Sequence, residues 1–169
     1  MKHAIALAAI TAAALSASEQ DVRAAPAAAS ASQPACASPK APPKELVTKD
    51  LVPGSGKTVM FRTAVLVGYT GWLYDGCAPD FKGAKVDSSE GRATPLGFMV
   101  GTGRVIKGWD EGLIGMKEKG KRLLIVPAEK AYGEKGANDG KIPPDATLVF
   151  EVEVSQILFD PSTEKQKPK

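Results

Sequence analysis

The segment from Thr147 to Leu158 constrains the fold most. Leu148, Phe150, Val152 and Val154 alternate with Val149, Glu151, Glu153 and Ser155. A strand here carries four large apolar side chains on one face and a mostly polar set on the other. One buried face and one wet face is the signature of an antiparallel sheet. Four further stretches read as strands: Glu45–Val52, closed by Pro53-Gly54-Ser55-Gly56; Thr63–Leu73, ending at Asp75-Gly76; Leu96–Val100; and Lys121–Val126, stopped by Pro127. Only Ile106–Met116 has helical spacing, with Ile106, Trp109 and Leu113 on one stripe. Its Gly108, Gly112 and Gly115 each lower helicity by about 1 kcal/mol relative to Ala. Close packing of the helix backbone on the sheet offsets that cost. The pattern predicts an α+β domain in which an antiparallel sheet wraps one short helix.

Composition divides the chain. Of the 43 residues before Lys44, 27 are Ala, Pro or Ser, and the first aromatic is Phe61. Such a mixture buries too little area to offset chain entropy, so residues 25–43 are expected to be a disordered linker. Ahead of it, Met1-Lys2-His3 and the apolar run Ala4–Leu15 read as a secretory signal peptide over residues 1–24, with Val22-Arg23-Ala24 as one cleavage site. Twelve helical residues span about 18 Å, too short for a membrane anchor. The folded domain is expected over residues 44–159, followed by a flexible tail over 160–169. No helical module precedes the domain, because the linker is broken by proline, so a monomer is expected. The Ala-rich leader favours export to a bacterial periplasm, with release outside the cell as the alternative.

Several chemistries are excluded early. The only histidine is His3, which falls in the leader, so the domain has no imidazole for a Ser-His-Asp or Cys-His mechanism. Cys36 and Cys77 are too few for a zinc cluster. Gly54-Ser55-Gly56-Lys57-Thr58 resembles a phosphate loop, but Leu51 stands where that loop needs glycine. Gly101-Thr102-Gly103 has no parallel βαβ unit around it. A net charge of +3 and the broken basic run Lys117–Arg122 indicate a solvated turn, not a nucleic-acid surface. What remains is a set of aromatics on different elements, Tyr69, Phe98, Trp109, Tyr132 and Phe150, beside a few isolated polar residues. No metal or cofactor is called for.

The wording and order of five stretches name a family. They are Val67-Gly68-Tyr69-Thr70-Gly71-Trp72-Leu73-Tyr74-Asp75-Gly76, Val86-Asp87-Ser88-Ser89, Val105-Ile106-Lys107-Gly108-Trp109-Asp110-Glu111-Gly112-Leu113, Ala131-Tyr132-Gly133, and Ile142-Pro143-Pro144-Asp145-Ala146-Thr147-Leu148-Val149-Phe150. Across Leu46–Leu158 the chain resembles the FKBP family of peptidyl-prolyl cis-trans isomerases. The resemblance implies a half-barrel curled round the helix, with a proline-binding pocket floored by Trp109. Tyr69, Phe98 and Phe150 would form its walls, Val105 and Ile106 its rim, and Ile142 would stand on the flanking loop. Asp87 and Tyr132 would be its polar groups, with Arg92 paired to them. The backbone N–H of Ile106 and the Tyr132 hydroxyl would hold the substrate carbonyl. Asp87 would order Tyr132 and Arg92, or else act on the twisted carbonyl carbon.

The implied function is rotation about Xaa-Pro bonds in exported proteins that are still folding. Macrolides such as rapamycin are implied ligands. A non-catalytic peptide-binding or chaperone-like use of the same pocket is the alternative. Three departures bear on this. Val86 and Leu96 stand where the family commonly has aromatics, the loop Gly133–Lys141 is altered, and Cys77–Val86 is an insertion. That insertion makes Cys77 a candidate to pair with Cys36 in an oxidising compartment.

Overall fold

The computed structural model describes residues 38–161. The expected leader, residues 25–37 of the expected linker and the last eight residues lie outside the described residues. Six strands form one antiparallel sheet: β1 (Val47–Val52), β2 (Ala64–Tyr74), β3 (Lys82–Ser88), β4 (Leu96–Met99), β5 (Lys121–Val126) and β6 (Leu148–Phe159). Their order is β1-β5-β6-β2-β3, with β4 also paired to β2. The helix α1 (Lys107–Gly112) lies against the inner face.

The alternation on β6 does what the pattern requires on one side. Leu148, Phe150, Val152 and Val154 are all buried in the main core, with Val65 and Val67 of β2, Leu124 and Val126 of β5, and Trp109 and Leu113. Helix α1 is shorter than the expected Ile106–Met116. It stops near Gly112, and the chain reverses through Gly115 at φ +82°, a left-handed conformation that glycine adopts without a Cβ penalty. The glycines before that stop serve packing. A Cβ on Gly112 would lie 2.8 Å from the Leu124 side chain, and one on Gly108 would strike Val126. The backbone of α1 therefore rests directly on β5.

The other side of the sheet departs from the simple reading. Val149, expected among the polar set, is fully buried. With Leu123 and Ile125 it forms a second apolar cluster, covered by Tyr74 and Phe81. Tyr74 ends β2, and Phe81 comes from the insertion, which folds as a single 3-10 turn at Pro79–Phe81 and then runs into β3, an element the sequence reading did not foresee. The Tyr74 and Phe81 rings stack at 5.2 Å. Lysines do the rest of the shielding: Lys82 lies 4.8 Å over the Trp72 ring and bridges Glu151 at 2.7 Å.

Two other stretches differ from expectation. Lys40, within the expected linker, donates its N–H to the Gly76 carbonyl at 3.1 Å, and the Tyr74 hydroxyl donates to Lys40 O at 3.0 Å. Paired backbone holds this segment where composition alone offers no anchor. Arg122, grouped with the solvated basic run, has a side chain only 12% exposed. Its Nη1 donates to the carbonyls of Gly112 and Ile114, and its Nη2 donates to Asp50 at 3.1 Å. Carbonyls at the end of a helix lack intrahelical partners, and a planar guanidinium reaches several at once.

Candidate functional site

The far edge of β2 is shared between two strands. β4 pairs with Ala64–Val67, and β3 pairs with the stretch from Thr70 to Tyr74. At the gap between them, Tyr69 is held by Ser89. The Tyr69 N–H donates to Ser89 Oγ at 2.8 Å, and the Ser89 N–H returns to Tyr69 O at 2.8 Å. A cavity of about 540 Å³ opens on the inner side of this region, lined by Tyr69, Val86, Asp87, Leu96, Val105, Ile106, Trp109, Tyr132, Ile142 and Phe150, with Arg104, Lys107 and Ala131.

Local structure explains how each group arrives. Gly71 pairs with Asp87, but the next matched pair is Trp72 with Lys85, so Val86 is an extra residue. Such a bulge breaks strict alternation, and consecutive residues Val86 and Asp87 both reach the cavity. Gly71 also faces Phe150, and a Cβ there would lie 2.6 Å from that ring. The missing side chain leaves room for Phe150 to meet Trp109 edge-on at 5.3 Å. Tyr69 meets Trp109 in the same manner at 5.0 Å, and Phe98 approaches at 5.9 Å. Three rings thus surround one indole, and ring quadrupoles favour the two edge-on pairs, with Tyr69 and Phe150. The indole N–H is buried and makes no hydrogen bond among the described residues.

The loop from β4 to α1 forms the opposite rim. Asp110 in the first turn of α1 accepts the N–H groups of Gly101 and Gly103 at 2.7 and 2.8 Å. That clamp, which sequence reasoning missed, fixes the backbone carrying Val105 and Ile106. The Ile106 carbonyl accepts from Trp109 and Asp110, while its N–H makes no bond among the described residues. Across the cavity, the bridge Ala137–Ile142 closes a short loop through Asn138 and Asp139, both at positive φ. Ile142 is thereby buried in the wall.

The polar groups are arranged differently from the expectation in one respect. Tyr69, not Tyr132, is the tyrosine bonded to Asp87: its hydroxyl donates to Asp87 Oδ2 at 2.6 Å, and Arg92 Nη2 donates to Oδ1 at 2.8 Å. Arg92 also lies 5.9 Å over the Tyr69 ring. Tyr132 is 40% exposed and its hydroxyl makes no hydrogen bond among the described residues. Burial, then the bond to Asp87, pushes the Tyr69 phenol up to about 12. Burial, then the Asp87 charge, raises Tyr132 as well. Both phenols are therefore proton donors throughout the neutral range. Of the residues named from sequence, ten line the cavity, while Arg92 and Phe98 are outside the lining and touch it through Asp87 and Trp109. Arg104, Lys107 and Ala131 were not anticipated, although each adjoins a residue that was. No trio of His, Cys, Asp or Glu among the described residues could hold a metal.

An open antiparallel sheet packed on a short glycine-bearing helix, with a cavity lined by four aromatic side chains, defines an α+β class of small domain. Comparison with known proteins places the chain within it. The model of the FKBP-type peptidyl-prolyl cis-trans isomerase family matches residues 56–155, and the chain belongs to that family. An FK506-binding protein of Neisseria meningitidis is 49% identical over 112 residues, spanning 66% of this chain and 95% of the relative. One from Streptomyces anulatus is 44% identical over 109 residues, spanning 64% and 83%. Among solved structures, AtFKBP13 superposes with a TM-score of 0.57 at 36% identity, covering 69% of this chain and 95% of that one. FkpA from Escherichia coli gives 0.55 at 38% identity, covering 66% and 47%.

Proposed function

We propose that the protein is a peptidyl-prolyl cis-trans isomerase acting in the cavity floored by Trp109, and that it assists folding of exported proteins. The observation that carries the reading is the pairing of an indole ringed by three aromatics with a free amide, Ile106 N–H, on a clamped rim. Rotation about an Xaa-Pro bond faces a barrier of about 18–20 kcal/mol because amide resonance is lost as the bond twists. The twisted amide has less charge separation than the planar one, so a dry aromatic site favours it over the ground state. Ile106 N–H and the Tyr132 hydroxyl are donors for substrate carbonyls and fix the peptide while the prolyl ring rests on Trp109. Asp87, engaged by both Tyr69 and Arg92, acts by positioning the wall. The chemistry uses no proton transfer.

The macrolide class named in the bacterial relatives is proposed as a ligand of the same cavity. Export rests on the leader and on Cys77, which is disulfide-bonded; Cys36, the other cysteine of the chain, lies outside the described residues. Disulfides persist in oxidising compartments, and the periplasm is the proposed location. Cell fractionation should recover the processed protein there.

The test is cis-to-trans relaxation of Leu-Pro-Phe peptides with the purified protein, with and without rapamycin. Acceleration that rapamycin blocks, and that Trp109→Ala or Tyr132→Phe lowers in folded variants, supports the reading. A folded protein that accelerates nothing yet suppresses aggregation of an unfolded client would overturn it in favour of the chaperone-like alternative. An apolar groove lined by Phe98, Met99 and Leu158, beside the exposed Phe61, is the surface that favours this second reading.

A further inference from the structure

We propose that the rim of the cavity selects prolines flanked by an acidic residue, through Arg104 and Lys107; this rests on the isomerase reading of the same cavity. Both side chains line the cavity and are exposed, and neither makes an ion pair or side-chain hydrogen bond among the described residues. The neighbouring carboxylates are committed elsewhere. Asp110 accepts the amides of Gly101 and Gly103, and Glu111 pairs with Lys130. Asp87, the only carboxylate in the lining, is already neutralised by Arg92. Tyr69 and Tyr132 remain uncharged at neutral pH. The rim therefore carries two cations with no counter-charge, on either side of Val105 and the free Ile106 amide.

A peptide carbonyl accepted by Ile106 N–H places the residues next to proline beside these two side chains. A carboxylate there gains attraction from both, while an ammonium is repelled. Arg104 also lines the adjoining apolar groove, so it stands at the edge a departing chain crosses. Exposed ion pairs are weak and screened by salt, so the selection amounts to about three- to tenfold over an uncharged isostere at low ionic strength.

The experiment compares peptides carrying Glu, Gln, Leu or Lys immediately before proline, and a second set with Glu, Gln or Lys immediately after it. kcat/KM from relaxation and Kd from titration calorimetry are read for each with the full chain. At one flank or both, Glu should exceed Gln by about three- to tenfold and Lys should fall below it, the gap closing as salt rises past physiological strength. The double variant Arg104→Gln/Lys107→Gln should lose the gap, with its melting temperature confirming an intact fold. Equal kcat/KM and equal Kd for Glu and Gln peptides at both flanks would overturn the proposal. So would a preference that survives the double variant. Absence of turnover on the Leu-Pro peptide would instead overturn the isomerase reading, and the Kd series still decides the charge preference.

Discussion

The Tyr69 hydroxyl donates to Asp87 Oδ2 at 2.6 Å, next to the bulge where β3 leaves regular pairing with β2. The bond joins the floor to the wall, because the Tyr69 ring also packs edge-on against Trp109 at 5.0 Å. Tyr69→Phe keeps the ring and removes the donor. It should cost about 1.5–3 kcal/mol in denaturant unfolding, the range for hydrogen bonds to a charged group. It should also lower kcat/KM on a Leu-Pro peptide, with Arg92 still holding Asp87. An unchanged stability would show that the bond is replaced by water.

Burial of Tyr69, reinforced by the same bond, sets a pH dependence. Burial, then the Asp87 hydrogen bond, moves the Tyr69 phenol from 10.0 in the unfolded chain to about 12. The folded state thus prefers the protonated phenol. Its contribution is complete below pH 10 and is lost as pH rises through about 12. Unfolding curves of the native protein and Tyr69→Phe should differ by a constant amount from neutrality to the unfolded value, then converge above it.

Gly108 and Gly112 let α1 lie on Val126 and Leu124. Alanine at either position improves helix propensity by about 1 kcal/mol, but overpacking of this kind costs about 1–3 kcal/mol. Each variant should be less stable than the native protein, and its displaced helix should weaken peptide binding. A stabilised Gly112→Ala, measured by thermal melting, would mean that Leu124 yields its place freely.

Arg122 ties Asp50, Gly112 O and Ile114 O together. Arg122→Met leaves these acceptors without their donor and should destabilise by about 2–4 kcal/mol. The Arg122 hydrogen bond holds the Asp50 carboxyl below its usual range. Asp50 therefore stabilises the fold above its unfolded value of 3.8 and loses that contribution as pH falls below it. Asp50→Asn should flatten part of the acid limb of the stability profile.

Phe81 covers Leu123, Ile125 and Val149 on the face opposite the cavity. Phe81→Ala should lower stability by about 1–3 kcal/mol through exposure of that cluster. Peptide turnover should be unaltered, since Phe81 is absent from the cavity lining. A fall in turnover at constant fold would show that the extended β2–β3 hairpin communicates with the site.

Much of the site was legible because its residues sit inside contiguous motifs. Trp109 and Ile106 share one helix start, and Ile142 and Phe150 share one approach to β6. The partner of Asp87 was not legible. Tyr69 lies 18 residues away and Tyr132 lies 45 away, and nothing in either motif ranks the two. Arg104 and Lys107 were passed over because an exposed cation carries no signal in sequence unless its neighbours are known.

The sequence by itself determined the elements whose physics is local. Period-two alternation defined β6, breakers ended the strands near Pro53 and Pro127, and glycines on the helix required a backbone-close neighbour. Tertiary structure decided what depends on register. A single extra residue at Val86 turns two consecutive side chains into the cavity, because a bulge reverses the facing of everything beyond it. The burial of Val149 was likewise decided at a distance. Its alternation assigns it to the outer face, and only the hairpin that returns through Phe81 makes that face dry.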